Sequence, residues 1–366
     1  MKIVYFTIEN FSKKTGITKK ILSQVEIWRK LGMDVYLLAF SKGKASIKDE
    51  KFFNIVEENS VKLIFSLNIN VVTLVNKINP NIIYFRYDAM PFSKTAFYLV
   101  NNYPTVVEVQ TNDIDEFFLS WIKQNPNLKN IIKYILFRKN RDKFLSQTKA
   151  LVTVTKELSE LEIYKKFRKP MICIPNGIIL DNYKILKNPN FYNDKIRFFF
   201  IGFGNVPWHG VDLIENIAKR MPEYEFHIVG LQKTSKLNNV IYYGFLDFSE
   251  YKKILEKCHI CIGSLALHRN NMKEASPLKV REYLALGFPI IIGYTDTAFQ
   301  NNLPDYVLQV DLTKEIITDE IIDKIKNFAL KNKNRVVLHE EVKNFIDMEV
   351  LEEERIRFFK KIISVS

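Results

Sequence analysis

The chain has 366 residues, of which 47% are hydrophobic and 26% are charged, and its formal net charge is +13. This composition is that of a globular protein rather than a disordered one, and the length favours two domains over one. Three cysteines are too few for a disulfide framework, and no uninterrupted apolar run reaches the roughly 20 residues that cross a bilayer.

The excess of positive charge predicts a polyanionic partner. Nucleic acid, an anionic membrane face and a phosphorylated small molecule are the candidates. The N-terminal sequence resembles a first strand rather than a signal peptide, and the few cysteines fit a reducing compartment. These features predict a cytoplasmic protein.

Apolar, β-rich runs alternate with helical stretches, and this pattern predicts an α/β fold with mainly parallel sheets. Helices are predicted at Lys19–Leu31, which Gly32 ends, and at Glu157–Lys166. The strands predicted in the first half are Lys2–Thr7, Val35–Phe40, Val61–Phe65, Ile82–Arg86, Thr105–Gln110, Ala150–Thr155 and Met171–Ile174.

The densest basic stretch runs from Lys129 to Lys149 and mixes basic with apolar and aromatic side chains. We interpret it as an amphipathic helix with one buried face and one solvated basic face. The alternative is peripheral contact with an anionic membrane through residues 129–149, for which such a composition is also typical.

A second series of strands and helices begins after the turn Pro175-Asn176-Gly177 and a polar stretch from Leu180 to Lys195. Its predicted helices are Val211–Met221 and Ser249–Lys257. A long charged helix, Glu341–Ile363, belongs to neither series. The strands predicted in the second half are Ile196–Gly202, Glu225–Gly230, Val240–Gly244, Ile260–Ser264, Pro289–Gly293 and Val307–Val310.

The segment from Glu274 to Gly287 predicts an anion site. Ser276 is expected to cap a helix whose first residue is Pro277, and the helix ends at Gly287. The amides of Leu278 and Lys279 would then face a ligand diphosphate. A lysine in the first turn disfavours the helix itself, and this indicates a bound anion.

Two carboxylates flank this helix start. Glu274 precedes it and Glu282 lies about two turns into it, so both could accept hydrogen bonds from sugar hydroxyls. Four other glutamate pairs in the chain share this spacing, so the spacing alone is not diagnostic. The order of cap, proline, helix, glycine and buried strand carries the prediction.

The run Glu-Ala-Ser-Pro-Leu-Lys-Val-Arg-Glu-Tyr-Leu-Ala-Leu-Gly-Phe-Pro, residues 274–289, resembles the Glu-x7-Glu signature of family-4 retaining glycosyltransferases with the GT-B fold. Three further segments agree, in the right order along nearly the whole chain. They are Lys14-Thr15-Gly16-Ile17, Ile174-Pro-Asn-Gly-Ile178, and Phe200-Ile-Gly202 followed by Trp208-His-Gly-Val-Asp212.

This resemblance implies two Rossmann-like domains that face each other across a cleft. Residues 1–182 would form the acceptor-side domain, to which a C-terminal helix of about 350–366 returns, and residues 183–349 would bind the donor.

The implied reaction is metal-independent transfer of a hexose from a nucleotide diphosphate sugar, with retained configuration and no cofactor. The acceptor would be a saccharide or a polyprenyl-diphosphate-linked saccharide in bacterial capsule, lipopolysaccharide or exopolysaccharide assembly. The protein would act in the cytoplasm or peripherally on the inner face of the plasma membrane, with no nucleic-acid partner.

By position, Glu274 would contact the donor sugar and Glu282 the ribose. The resemblance departs at two basic positions, because the family's Arg near Phe203 and its Lys at His209 are both missing. The cations that could replace them are His209, Arg269, Lys279 and Arg281. The donor-binding residues that we predict are Gly16, Gly202, Gly204, Gly230, Phe245, Ala275, Ser276, Pro277, Leu278, Arg281 and Glu282.

Other interpretations remain open. The same fold could serve an epimerase or a hydrolase, or a non-catalytic sugar-nucleotide binder, and the charge alone would suit a polyanion-binding protein. Asp113-Ile-Asp115 resembles a metal–diphosphate motif, but a pattern this short arises by chance. Cys258-His259-Ile-Cys261 supplies too few zinc ligands, so we expect core packing there. No metal site is predicted.

Overall fold

The computed structural model describes residues 1–12, 15–41, 45, 47–56, 66–86, 93–188, 195–202, 206–299 and 302–364. The predicted strand Val61–Phe65 lies outside these ranges. The chain divides into two compact units, Met1–Pro175 with Met348–Ser366, and Asn176–Asp347. The sequence placed the boundary seven residues later, after residue 182.

The first unit contains a parallel sheet of seven strands in the order β3-β2-β1-β4-β5-β6-β7. The strand order reverses between β1 and β4, as in doubly wound sheets, whose ligands bind at the carboxyl ends of the strands. The strands are β1 (Lys2–Thr7), β2 (Asp34–Ser41), β3 (Phe52–Val56), β4 (Ile82–Arg86), β5 (Thr105–Val109), β6 (Ala150–Thr153) and β7 (Met171–Cys173).

The first helix of this unit is capped at its N-terminus, since the Thr15 hydroxyl accepts a hydrogen bond from the Thr18 amide at 3.1 Å. A π-helical turn, Phe118–Lys123, precedes the longest helix of the unit. The helices are α1 (Gly16–Lys30), α2 (Ile69–Ile78), α3 (Lys94–Asn102), α4 (Asp113–Phe117), α5 (Leu128–Gln147), α6 (Lys156–Glu160) and α7 (Glu162–Lys165).

The second unit repeats this plan with six parallel strands in the order β10-β9-β8-β11-β13-β15, beside a two-stranded pair, β12 and β14. Its strands are β8 (Arg197–Ile201), β9 (Glu225–Val229), β10 (Val240–Tyr242), β11 (Ile260–Ile262), β12 (Glu274–Ala275), β13 (Ile290–Ile292), β14 (Thr295–Asp296) and β15 (Val307–Gln309). Its helices are α8 (Val211–Arg220), α9 (Phe248–Leu255), α10 (Leu278–Ala285), α11 (Asp319–Asn332) and α12 (His339–Ile346).

The predicted helix Glu341–Ile363 is two helices, α12 and α13 (Met348–Ser364), so this prediction was wrong. Asp347 between them has extended backbone, with φ −72° and ψ 123°, and pairs with Ile178. The interruption lies where the chain leaves the second unit and α13 joins the first.

A buried ionic network holds α13 in the first unit. Glu352 accepts hydrogen bonds from Trp28 at 2.7 Å and from Arg355 at 2.6 Å, and Lys20 donates to Glu108 at 2.7 Å. All five side chains are buried. Burial alone would raise the pKa of Glu108, but the charges of Lys20 and Arg355 hold that pKa at about 2. Glu108 is therefore ionised at neutral pH.

Within the described part of the chain, no helix is both long enough and apolar enough to span a bilayer.

Candidate functional site

The segment before α10 differs in one respect from the sequence prediction. The helix begins at Leu278, and Pro277, with φ −73° and ψ 135°, occupies the cap position without a side-chain hydrogen bond. Ser276 does not cap it, because its hydroxyl accepts from the amide of Asn176 and from Arg281, each at 2.8 Å. Both donors are buried, so the serine links the loop to the interior.

Arg281 is a buried residue that connects this loop to its neighbours. Its guanidinium donates to Asp296 at 2.6 and 2.9 Å, to Ser276, and to the carbonyl of Asn176 at 2.9 Å. Its exposure is 0%, as is that of the Asp296 carboxylate. Because a buried ion pair with full hydrogen bonding has one geometry, this network fixes the loop from Glu274 to Pro277.

The N-terminus of α10 presents several unused donors. Among the described residues, none accepts a hydrogen bond from the amides of Leu278 and Lys279. The Lys279 ammonium donates to the carbonyl of Ile201 at 3.2 Å and lies 4.2 Å from the centre of the Phe200 ring. No carboxylate in the described ranges lies within 4 Å of it, and burial lowers its pKa to about 7.

Two predicted glycines make a close backbone approach at the same end of β8. A Cβ on Gly230, whose φ is +93°, would lie 2.0 Å from the carbonyl oxygen of Gly202. A Cβ on Gly202 would lie 2.7 Å from the Phe200 ring and 2.8 Å from Nδ1 of His209. A larger residue is therefore excluded at Gly230, and at Gly202 it would require the side chains of Phe200 and His209 to shift. Gly204 lies outside the described residues.

The structure thus brings together four residues that the sequence singled out. Lys279 and His209 both lie beside Phe200, with ring centroids of Phe200 and His209 5.8 Å apart, and the two glycines follow at the ends of β8 and β9. All of them lie at the carboxyl ends of parallel strands, where doubly wound sheets bind their ligands.

Glu282 lies one helical turn further along α10. It accepts a hydrogen bond from the hydroxyl of Tyr251 at 3.2 Å. Burial raises the pKa of Tyr251 and of Tyr183, and the charge of Glu282 raises both further. Neither tyrosine carried a sequence signal, because each comes from a distant element. Glu274 lies in β12, half-buried, and pairs with Thr295.

The remaining predicted donor residues have varied positions. Phe245 follows Gly244, which has φ +70°, and 65% of its side chain is exposed. Ala275 is the second residue of β12. Gly16 is the first residue of α1, in the first unit.

Arg269 is engaged by two carboxylates. It donates to Asp212 at 2.7 and 2.8 Å and to Glu315 at 2.7 Å. These contacts tie the turn that contains Arg269 to the first turn of α8. Of the cations predicted to face a leaving group, Lys279 and His209 are therefore the two that lie beside β8.

The two metal-like patterns form structural contacts. Asp113 accepts from Arg141 at 2.6 and 3.0 Å and from Tyr164 at 2.8 Å, and all three are buried. Cys258 and Cys261 are buried in the core of the second unit. Over the described ranges, no group of three His, Cys, Asp or Glu side chains could hold a metal ion.

No protein-family model and no curated protein sequence matches the chain. Solved structures do match it over nearly their full length. Sucrose-phosphate synthase from Thermosynechococcus elongatus has a TM-score of 0.71 at 12% identity, covering 100% of both chains. Pneumococcal O-GlcNAc transferase GtfA, in complex with UDP and GlcNAc, has a TM-score of 0.62 at 10% identity, covering 99% of each chain.

An α-glucosyltransferase in complex with UDP and a DNA 13-mer has a TM-score of 0.65 at 13% identity, covering 98% of this chain and 100% of the other. Identities this low show the fold alone. The structural matches confirm the predicted α/β architecture, which here has parallel sheets of seven and six strands. The chain has the GT-B fold of glycosyltransferases.

Proposed function

We propose that the chain is a retaining, metal-independent glycosyltransferase whose unit Asn176–Asp347 binds a nucleotide diphosphate sugar. The observation that carries this proposal is the position of Lys279. Its ammonium and two backbone amides converge at the start of α10, beside the close approach of Gly202 and Gly230. A donor diphosphate supplies the negative charge that this arrangement favours.

The argument for an anion rests on two costs that Lys279 bears. A cation in the first turn opposes the helix dipole, and an ammonium removed from water is disfavoured by desolvation. A diphosphate bound at the helix start would offset both, because it accepts hydrogen bonds from the amides and pairs with the ammonium. Two of the similar structures, GtfA and the α-glucosyltransferase, are complexes with UDP, which supports a nucleoside diphosphate.

Sugar transfer leaves charge on the departing diphosphate, and fixed cations stabilise that charge in the transition state. We assign this role to Lys279, assisted by His209, in place of the Arg and Lys that the family resemblance would supply. Glu282, oriented by Tyr251, would hold the ribose, and Glu274 would contact the transferred hexose.

The acceptor in this proposal is a saccharide or a polyprenyl-diphosphate-linked saccharide, and the process is assembly of a bacterial surface polysaccharide at the cytoplasmic face of the membrane. The sequence resemblance and the net charge of +13 support this assignment. Nucleic acid is not part of it, although the similar α-glucosyltransferase is a complex with DNA. Salt-dependent DNA binding without any nucleoside diphosphate binding would favour that alternative.

Calorimetric titration with nucleoside diphosphates and their sugars tests the donor site. Glu282→Ala should weaken binding by about 1.5–3 kcal/mol, roughly 10- to 150-fold, because the ribose loses an ionised acceptor. Glu320→Ala, at an exposed glutamate of α11, is the control and should bind like the wild type. Equal affinity of the Glu282 variant for every donor tested contradicts the assignment.

Glu274 is expected to act on turnover. Glu274→Ala should lower kcat with the sugar donor more than it lowers affinity for the nucleoside diphosphate, since only the sugar contact is lost. Equal losses in both quantities would argue against a sugar contact. Conversion of the donor to an epimer or to free sugar, at the same rate with and without acceptor, would identify an epimerase or a hydrolase instead.

A further inference from the structure

The first two turns of α5 turn an apolar stripe towards solvent. Leu128, Ile131, Ile132 and Ile135 are 73%, 41%, 49% and 58% exposed. Their spacing of three, four and seven residues places them on one face of the helix. Single exposed apolar residues are ordinary, but four in a contiguous stripe mark an interaction surface.

The rest of the helix behaves differently. From its midpoint onwards it buries Phe137, Phe144 and Leu145, as the sequence predicted for an amphipathic helix. An aromatic cluster sets the orientation of the first half, because Phe117 packs on Trp121 at 4.6 Å and on Phe137 at 4.9 Å. At about 100° per residue, Phe137 lies on the helix face opposite the stripe, so its packing in this cluster leaves the stripe facing outward. Within the segment 129–149, the exposed apolar side chains therefore lie at the beginning of the helix.

Basic side chains flank the stripe along its own helix. Residues 117–141 contain six basic side chains and no acidic one. At about 100° per residue, Lys129 and Arg138 lie on opposite sides of the stripe and Lys139 continues its line. All three are exposed. An apolar centre with a basic rim complements a surface that is apolar inside and anionic outside.

We infer that this face of α5, residues 128–139, docks peripherally on an anionic phospholipid bilayer. The isoleucines enter the boundary between headgroups and acyl chains, while the lysines and the arginine pair with lipid phosphates. A second copy of the chain is a poorer occupant, because a symmetric contact would place the basic rims against each other. Nucleic acid would match the rim but would leave the stripe without an apolar partner.

Co-sedimentation of the full chain with lipid vesicles tests this inference. We expect binding to vesicles of phosphatidylglycerol mixed with phosphatidylcholine and much weaker binding to phosphatidylcholine alone. Ile132→Ser with Ile135→Ser should lower the partition coefficient roughly tenfold or more, because two apolar anchors are lost. Lys129→Gln with Lys139→Gln should lower it by roughly fivefold per charge at low salt.

The matched control is Ile316→Ser with Leu330→Ser, at two apolar side chains of the second unit that are 63% and 54% exposed. This pair should leave vesicle binding unchanged. Equal binding to both kinds of vesicle, or full binding by the isoleucine variant, overturns the inference. A second outcome would also overturn it: sedimentation equilibrium shows a dimeric wild type and a monomeric isoleucine variant, and neither protein binds vesicles.

The inference does not rest on the proposed donor chemistry. Nucleoside diphosphate affinity in solution should be the same in the wild type and in all three double variants, since none of these side chains lies in the second unit's site. Loss of vesicle binding with intact nucleotide affinity therefore separates the surface from the site. A protein that binds vesicles but no nucleotide would refute the proposed function alone.

Discussion

Lys279 combines an ammonium whose pKa is lowered by burial with a position that opposes the helix dipole. The carbonyl of Ile201 and the ring of Phe200 compensate it only in part, since neither carries a full negative charge. The free protein therefore holds this group near its titration point. A bound diphosphate would raise its pKa, because an opposite charge nearby favours the charged form.

This balance predicts a pH dependence of kcat/KM, which reports the free enzyme. Burial lowers the pKa of Lys279 to about 7, so the ammonium is lost as the pH rises through about 7, and kcat/KM should fall over the same range. Lys279→Arg keeps the charge at every accessible pH and should remove this decline. An unchanged decline in that variant would assign the titration to another group.

The internal contacts of Arg281 could not be predicted from the sequence. It stands two residues after Lys279, and both were predicted to face the donor. Whether an arginine meets a ligand or an internal carboxylate depends on its partner. That partner, Asp296, follows on a separate strand and carries no mark of its own in the sequence. The sequence located the loop, but the contacts of Lys279 and Arg281 depend on how their side chains pack in the fold.

At the scale of elements, the segment before α10 is held both by side chains and by the pairing of β12 with β14. Arg281 connects it to Asp296 of β14, and the Tyr283 hydroxyl accepts from the amide of Ile201 at 2.9 Å, which fixes α10 against β8. The first contact orients the loop and the second sets the distance between Lys279 and the strand end.

Asp296→Asn tests this arrangement. Removal of one charge leaves the Arg281 guanidinium buried without its partner, and this should cost about 3–5 kcal/mol of stability in the second unit. Urea unfolding should show the loss, and nucleoside diphosphate affinity should fall with it. Asp305→Asn is the control, because Asp305 is exposed and its ion pair with Lys331, at 3.6 Å, is exposed as well. This substitution should cost about 0.5 kcal/mol of stability or less.

Most of the strands could be predicted because buried parallel strands are continuous apolar runs. β1 and β4 begin and end where the sequence placed them. β3 was missed, since it is an edge strand whose apolar run is broken by Asn54. The interruption at Asp347 was missed because helical periodicity continues on both sides of it and only the pairing with Ile178 reveals the extended residue.

At the scale of the whole molecule, the first unit is discontinuous in sequence, since α13 completes a fold that begins 347 residues earlier. Phe359 packs against Trp28 at 5.5 Å and against Tyr84 at 5.3 Å, and Glu352 enters the ionic network beside them. The first unit therefore includes α13 in its core, whereas the second unit is formed by one continuous segment.

Removal of α13 should unfold the first unit selectively. The helix buries five apolar side chains worth roughly 1.5–3 kcal/mol each, together comparable with the 5–15 kcal/mol that stabilises a typical domain. These side chains are Met348, Leu351, Ile356, Phe359 and Ile362. Hydrogen exchange of a chain ending at Asp347 should show rapid exchange throughout β1–β7 and protection retained in β8–β15.

A graded form of the same experiment uses two neighbouring glutamates of α13. Glu352→Gln removes a buried charge from Arg355 and should lower the stability of the first unit by about 3–5 kcal/mol, whereas Glu353, 57% exposed, should tolerate the same change within about 0.5 kcal/mol. Equal effects of the two substitutions, or retained protection of β1–β7 in the truncated chain, would show that the first unit folds without α13. Loss of protection in both units would show instead that they unfold together.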